Sequence, residues 1–295
     1  MVSINNKIRF VMKTINRILV PTDFSNNARA AFEYSLEMAK TFNASVDVVH
    51  VYSDYVPEMP LADPTYMMGQ TVSELKEALL NFVDKEMESG EGIMTDKKIK
   101  VHSQLLNGAA APSIIELSKD YDLVIMGTAG SQSFGEIMFG SVSTNVSQKA
   151  LCNVLMIPEG CSYKEIDNLL YACDFDHKSF KHVGLIAETA KAFNSNVHLL
   201  FVKTEDKERD NYNVDLRDIE TVFKTQAPKL NMYSHIVEEV DVVEATNVYG
   251  RKYNADMVVV VTKYRKFWER ILHSSVTREM AIYSELPVLV IKASE

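Results

Sequence analysis

Residues 17–51 read RILVPTDFSNNARAAFEYSLEMAKTFNASVDVVHV, and residues 168–202 read NLLYACDFDHKSFKHVGLIAETAKAFNSNVHLLFV. Laid over one another without a gap, the two bring Leu19, Asp23, Phe24, Glu37, Ala39, Lys40, Phe42, Asn43, Val46 and Val51 onto Leu170, Asp174, Phe175, Glu188, Ala190, Lys191, Phe193, Asn194, Val197 and Val202. Random pairing over such a window gives about two identities, so the chain carries a duplicated domain. A second ungapped match sets residues 122–158 over 256–292 and pairs Ser141 with Ser275 and Val142 with Val276. The spacing between matched residues falls from 151 in the first stretch to 134 in the second, so the second copy is shorter in its middle. There the first copy has Pro57, Pro60 and Pro64, which mark a long loop. The reading is an extension over residues 1–13, a first domain over 14–158, a linker over 159–167 and a second domain over 168–295.

Within each copy the hydrophobic period alternates. Ile15–Pro21 is a short apolar run suited to a strand buried on both faces. Ser25 can cap a helix through Asn43 whose Ala28, Ala31, Phe32, Leu36, Ala39 and Phe42 recur every three or four residues. Strands follow over 45–51, 100–106, 123–126 and 154–157, separated by helical segments over 72–87, from Pro112 and after Gly140. Strands separated by helices predict a parallel sheet with right-handed crossovers. The fold class expected is α/β: two tandem doubly wound, Rossmann-like domains, each with a five-stranded parallel sheet of order 3-2-1-4-5.

Composition bounds the function. At 295 residues, 46% hydrophobic and 24% charged, the chain can build ordinary cores. A net charge of −9 argues against a nucleic-acid partner, and no apolar run approaches the length of a membrane span. Met1–Lys13 lacks a signal-peptide core and reads as a disordered extension or a misassigned start. Cys152, Cys161 and Cys173 show no C-x-x-C spacing, which points to a reducing, cytoplasmic compartment.

The chemistry concentrates around one strand-to-helix connection. Gly127 and Gly130 follow the apolar run Leu123–Met126, where a bare backbone can approach phosphates and present its N–H groups. Gly140, Ser141, Val142 and Ser143 open the next helix and add amides and two hydroxyls. In a sheet of order 3-2-1-4-5, strands one and four are neighbours whose connections leave in opposite directions, and a crevice opens at their carboxyl ends. Asp23 and Gly127 stand at those ends; the plainer role for Asp23 is a carboxylate capping the helix near Asn26.

This spacing, Gly-x2-Gly-x9-Gly-Ser, resembles the ATP-binding signature of the universal stress protein family, and Pro21-Thr22-Asp23 and His50-Val51 fit beside it. The resemblance covers both copies. It implies that Asp23 contacts the adenosine moiety, Val51 packs beside the base and the glycine loop with its hydroxyls holds the phosphates. The binding set it nominates is Pro21, Thr22, Asp23, Val51, Met126, Gly127, Gly130, Gly140, Ser141, Val142 and Ser143. The implied ligand is ATP, with ADP or AMP as alternatives and Mg as a companion. The implied role is a stress-response regulatory module read by an unidentified protein partner. A slow Mg-dependent ATP hydrolase using Ser141 or Ser143 is the alternative.

The second copy keeps Asp174, Ser275 and Thr277 but has Val261, Tyr264 and Ser274 where the first has Gly127, Gly130 and Gly140. If those glycines adopt left-handed φ, each replacement costs about 1–2 kcal/mol, so one nucleotide per chain is expected. The replacement segment Lys263–Arg270 is basic and aromatic; it reads either as an anion or partner site or as a solvated loop anchored by Phe267 and Trp268. The phosphate loop contains no Lys or Arg, and no Walker, zincin or hydrolase-elbow motif occurs, so fast phosphoryl transfer is not expected. His50, His102, His177, His182, His198, His235 and His273 are read as scattered rather than paired. The apolar strands 154–157 and 288–291 end the two copies, and antiparallel pairing between them would make an intramolecular pseudo-dimer, with a homodimer of chains also open.

Overall fold

The computed structural model describes residues 15–53, 72–89, 99–128, 141–173, 179–203, 216–238, 242–261 and 286–292. The Lys263–Arg270 segment, Gly130, Gly140, Asp174, Ser275 and Thr277 lie outside them. The first copy runs β1 (Arg17–Pro21), α1 (Asn26–Phe42), β2 (Ser45–Tyr52), α2 (Val72–Ser89), β3 (Val101–Asn107), α3 (Ala110–Leu117), β4 (Leu123–Gly127), α4 (Ser141–Lys149) and β5 (Asn153–Ile157). The second runs β6 (Asn168–Cys173), α5 (Ser179–Phe193), β7 (Asn196–Lys203), α6 (Leu216–Gln226), β8 (Met232–Glu238), α7 (Val242–Lys252), β9 (Met257–Val261) and β10 (Val288–Ile291).

The chain forms two compact units. The larger gathers 15–163 with the C-terminal strand, and the smaller is 164–260. In the larger, the strands lie in the order β3-β2-β1-β4-β5, all parallel, and β10 runs antiparallel along β5 with Val288, Leu289 and Val290 opposite Met156, Leu155 and Val154. The five parallel strands keep the expected order, and the antiparallel pairing of the two copies' last strands is the one expected from the sequence. The apolar β5 would otherwise present open backbone groups along its free edge, and β10 satisfies them while all four of its residues are buried. The smaller unit has β9-β6-β7-β8, all parallel.

The parallel strands are buried on both faces: Ile18, Leu19 and Val20 of β1 are at most 1% exposed. The three-and-four spacing of α1 buries Ala28, Ala31, Phe32, Leu36 and Ala39 against the sheet, each large apolar side chain contributing about 1.5–3 kcal/mol. Ser25 Oγ accepts from Ala28 N–H at 3.2 Å, closing the helix start, and Asn43 ends it in the left-handed region at φ 55°. The helix from Pro112 begins two residues earlier, at Ala110; a proline in the first turn forfeits no intrahelical bond.

Duplication is written into the hydrogen bonds as well. Asp122 Oδ2 accepts from the N–H groups of Asn16 and Arg17 at 2.9 and 3.1 Å, and Asp256 Oδ2 accepts from those of Asp167 and Asn168, both at 3.0 Å. Each carboxylate staples the entry of its copy's first strand to the turn before the fourth. Asn194, matched to Asn43, also takes positive φ, 56°. Among the described residues no helix is long and apolar enough to cross a membrane.

Candidate functional site

The crevice lies where β1 and β4, paired through Ile18–Leu123 and Leu19–Val124, reach their carboxyl ends. Pro21 closes β1 and is buried. Thr22 is buried too, and its N–H, carbonyl and hydroxyl oxygen each have a partner. Its N–H donates to the Val49 carbonyl at 2.8 Å, its Oγ1 accepts from Phe24 N–H at 3.0 Å, and its carbonyl lies 2.8 Å from His50 Nδ1. Since a carbonyl only accepts, Nδ1 carries the proton. Thr22 thus shapes the turn from within.

Asp23 is the exposed residue of that turn. Its Oδ1 accepts from Ser25 N–H at 3.1 Å, an Asx turn that hands the capping of α1 to Ser25. The capping role considered for Asp23 is therefore held by its neighbour. The turn places Phe24 at φ 65°, unusual for a residue with a side chain, and its ring stacks on His50 at 4.4 Å and meets Phe82 of α2 edge-on at 5.9 Å. Strain of this kind gathers at functional sites.

On the β4 side, Met126 is buried and Gly127 ends the strand. A Cβ on Gly127 would stand 2.8 Å from Asn27 Cβ and 2.9 Å from Asn27 C and O. Gly127 is not among the glycines with positive φ. The left-handed condition considered for the glycines is not met at this position: glycine is needed because the first turn of α1 presses onto the strand end. The second copy ends β9 with Val261 at the matched place.

Thr128 N–H donates to the Ile157 carbonyl at 3.0 Å, and the Thr128 carbonyl accepts from Ser143 Oγ at 2.8 Å. Ser143 is buried, and its hydroxyl ties α4 to the end of β4. Val142 is half-buried on α4, and Ser141 opens that helix. Val51 is half-buried on β2, opposite Leu106 of β3. The described residues thus bring Pro21, Thr22, Asp23, Met126, Gly127 and the start of α4 to one end of one sheet, with Val51 two strands from β4.

Phe24, Asn27 and Thr128 belong to this site and were not singled out as ligands or supports by the sequence. The repeat did carry a signal for Phe24, which recurs as Phe175. Nothing local marks Asn27, whose role arises from a contact a hundred residues along the chain.

The universal stress protein family model matches residues 14–158 and 165–292. A universal stress protein of Methanocaldococcus jannaschii, MJ0531, is 31% identical over 157 residues, covering 52% of this chain and 88% of its own length. The universal stress protein YxiE of Bacillus subtilis is 26% identical over 145 residues, 48% of this chain and 98% of that protein. The crystal structure of a universal stress protein from Archaeoglobus fulgidus superposes with a TM-score of 0.70 at 22% identity, covering 97% of this chain and 98% of that one.

Proposed function

Given that this chain belongs to the universal stress protein family through two tandem segments, we propose that its first copy binds one adenine nucleotide, ATP foremost, and acts as a regulatory binding module. The observation that carries this reading is the meeting of an exposed carboxylate and a glycine-ended strand at the carboxyl ends of neighbouring parallel strands, β1 and β4. Ligands of open α/β sheets bind at such a switch point. The helix starts of α1 and α4 lie on the same side and favour an anion.

In this reading Asp23 receives the ribose hydroxyls, Val51 lies beside the base, and amides of the Gly127–Gly130 and Gly140–Ser143 stretches hold the phosphates. Thr22, Pro21 and Met126 support the walls. Mg would accompany the phosphates of the nucleotide. Of the two hydroxyls offered for hydrolysis, that of Ser143 is spent on the Thr128 carbonyl, which weighs toward binding. Cys152 and Cys161, present as thiols rather than as halves of a disulfide, fit a reducing, cytoplasmic setting. The β5–β10 pairing supports an intramolecular pseudo-dimer of the copies.

Calorimetric titration of the full chain with Mg·ATP tests the proposal. One nucleotide per chain is expected, abolished by Gly130→Tyr, which copies the residue at the second copy's matched position. Two nucleotides per chain would overturn the single-site assignment, and none would overturn nucleotide binding.

A further inference from the structure

The helix that opens the proposed phosphate site is poorly equipped to stand alone. α4 spans nine residues, SVSTNVSQK, rich in serine, valine, threonine and asparagine, all middling or weak helix formers. A helix this short is marginal without tertiary anchors. At its front the anchor is Ser143 Oγ on the Thr128 carbonyl. At its rear the helix ends early: Leu151 N–H, which would continue the ladder onto Ser147, donates instead to Ser118 Oγ at 2.8 Å. The Ser147 carbonyl accepts from Lys292 Nζ at 2.7 Å. Lys292 follows β10, and its own N–H donates to Asn153 Oδ1 at 3.0 Å, fixing the backbone from which the side chain reaches.

A cation on the last carbonyls of a helix both satisfies them and complements the dipole. The arrangement is also one-way. At Lys292's matched place the first copy has Pro158, which has neither an amine nor an N–H, so it cannot return the contact. The copy with the degenerate loop clamps the copy with the intact one.

Resting on the nucleotide-binding reading above, we propose that Lys292 is a positioning residue for that site: carried on the C-terminal strand of the second copy, it holds the last turn of α4 and thereby keeps the first turn in register for phosphate. Burial pulls the Lys292 ammonium down to about 8, a shift that the neighbouring Cys152 would oppose only as a thiolate. Burial holds that thiol up at about 12, so it stays neutral and supplies no counter-charge near neutrality. Among the described residues Asp122 also acts on Cys152, and Lys149, exposed, lies in the last turn of α4. Because the lysine's value is lowered, the charge on the clamp is present below pH 8 and is lost as pH rises through it.

The test is the affinity of the full chain for Mg·ATP between pH 7 and 9, by calorimetry, for wild type, Lys292→Met and Lys292→Arg. Wild-type affinity should fall several-fold across this range. Lys292→Met should bind about five- to tenfold more weakly at pH 7 and show little dependence on pH. Lys292→Arg, which stays charged, should restore affinity at pH 7 and exceed wild type at pH 9, an outcome that a merely structural lysine would not produce. Equal affinities and parallel pH profiles for wild type and Lys292→Arg would overturn the inference even if Lys292→Met fails to fold. Failure of the wild type to bind at any pH would instead overturn the nucleotide-binding reading, and this inference with it.

Discussion

Gly127 shows how a residue can be recognised for one reason and required for another. Its place after an apolar strand pointed to phosphate, and left-handed φ was the demand considered, yet the demand is room for the Asn27 backbone. A local pattern can reveal a turn; it holds no record of a helix packing in from a hundred residues away. Gly127→Ala should therefore destabilise the larger unit by about 1–3 kcal/mol through overpacking, measurable as a lower urea midpoint whether or not nucleotide is present. An unchanged midpoint would mean that α1 yields without cost. Asp122 makes a second residue-scale prediction. Its carboxylate holds two backbone N–H groups at the entry to β1, so Asp122→Ala should cost about 1.5–3 kcal/mol. Ser25 and Asn43, by contrast, were legible as helix ends because capping is a local transaction.

At the scale of elements, alternation was legible because buried parallel strands and one-sided helices leave opposite periods in the sequence. The side chains that meet across strands were not. His198 on β7 and His235 on β8, read as scattered, lie with Nδ1 and Nε2 3.2 Å apart and rings 11° from parallel, and Tyr253 stacks on His235 at 4.0 Å. Their meeting depends on the β7–β8 register, which pairs His198 with Tyr233 two residues before His235, and no spacing within either strand announces it. Lys252 lies over the Tyr249 and Tyr253 rings at 5.0 and 5.4 Å. Burial lowers the pKa of both histidines, helped by His235 acting on His198 and by Lys252 acting on His235. The fold thus prefers the neutral rings. Their contribution to stability is full above the ordinary histidine value of about 6.5 and is lost as pH falls through the lowered native values. The smaller unit should lose thermal stability on acidification below about pH 6.5, and His235→Gln should flatten that loss. A variant with the full acid sensitivity of the wild type would place its origin in other groups.

At the scale of the molecule, the duplication was legible from a constant offset within each matched stretch, and so was the antiparallel pairing of the last strands: β10 belongs to the second copy by sequence and runs along β5 in the larger unit. An apolar strand ending each copy was the signal, because an open apolar edge invites pairing. This arrangement makes the unfolding of the whole chain informative. A ligand that binds only the native larger unit adds RT ln(1 + [L]/Kd) to its stability, about 2.7 kcal/mol at a hundredfold excess over Kd. For a unit of this size that amounts to a rise of roughly 5–10 °C in Tm. The histidine cluster lies in the other unit, so the two effects should separate: Mg·ATP should raise the transition of the larger unit, and acid should lower that of the smaller. Scanning calorimetry at pH 7.5 and 5.5, with and without Mg·ATP, reads both shifts at once. Removing the Lys292 clamp should shrink the nucleotide-induced rise and leave the acid-induced fall intact. If nucleotide and acid instead moved one shared transition together, the units would unfold as a single cooperative body, and occupancy of the first copy would be felt by the second.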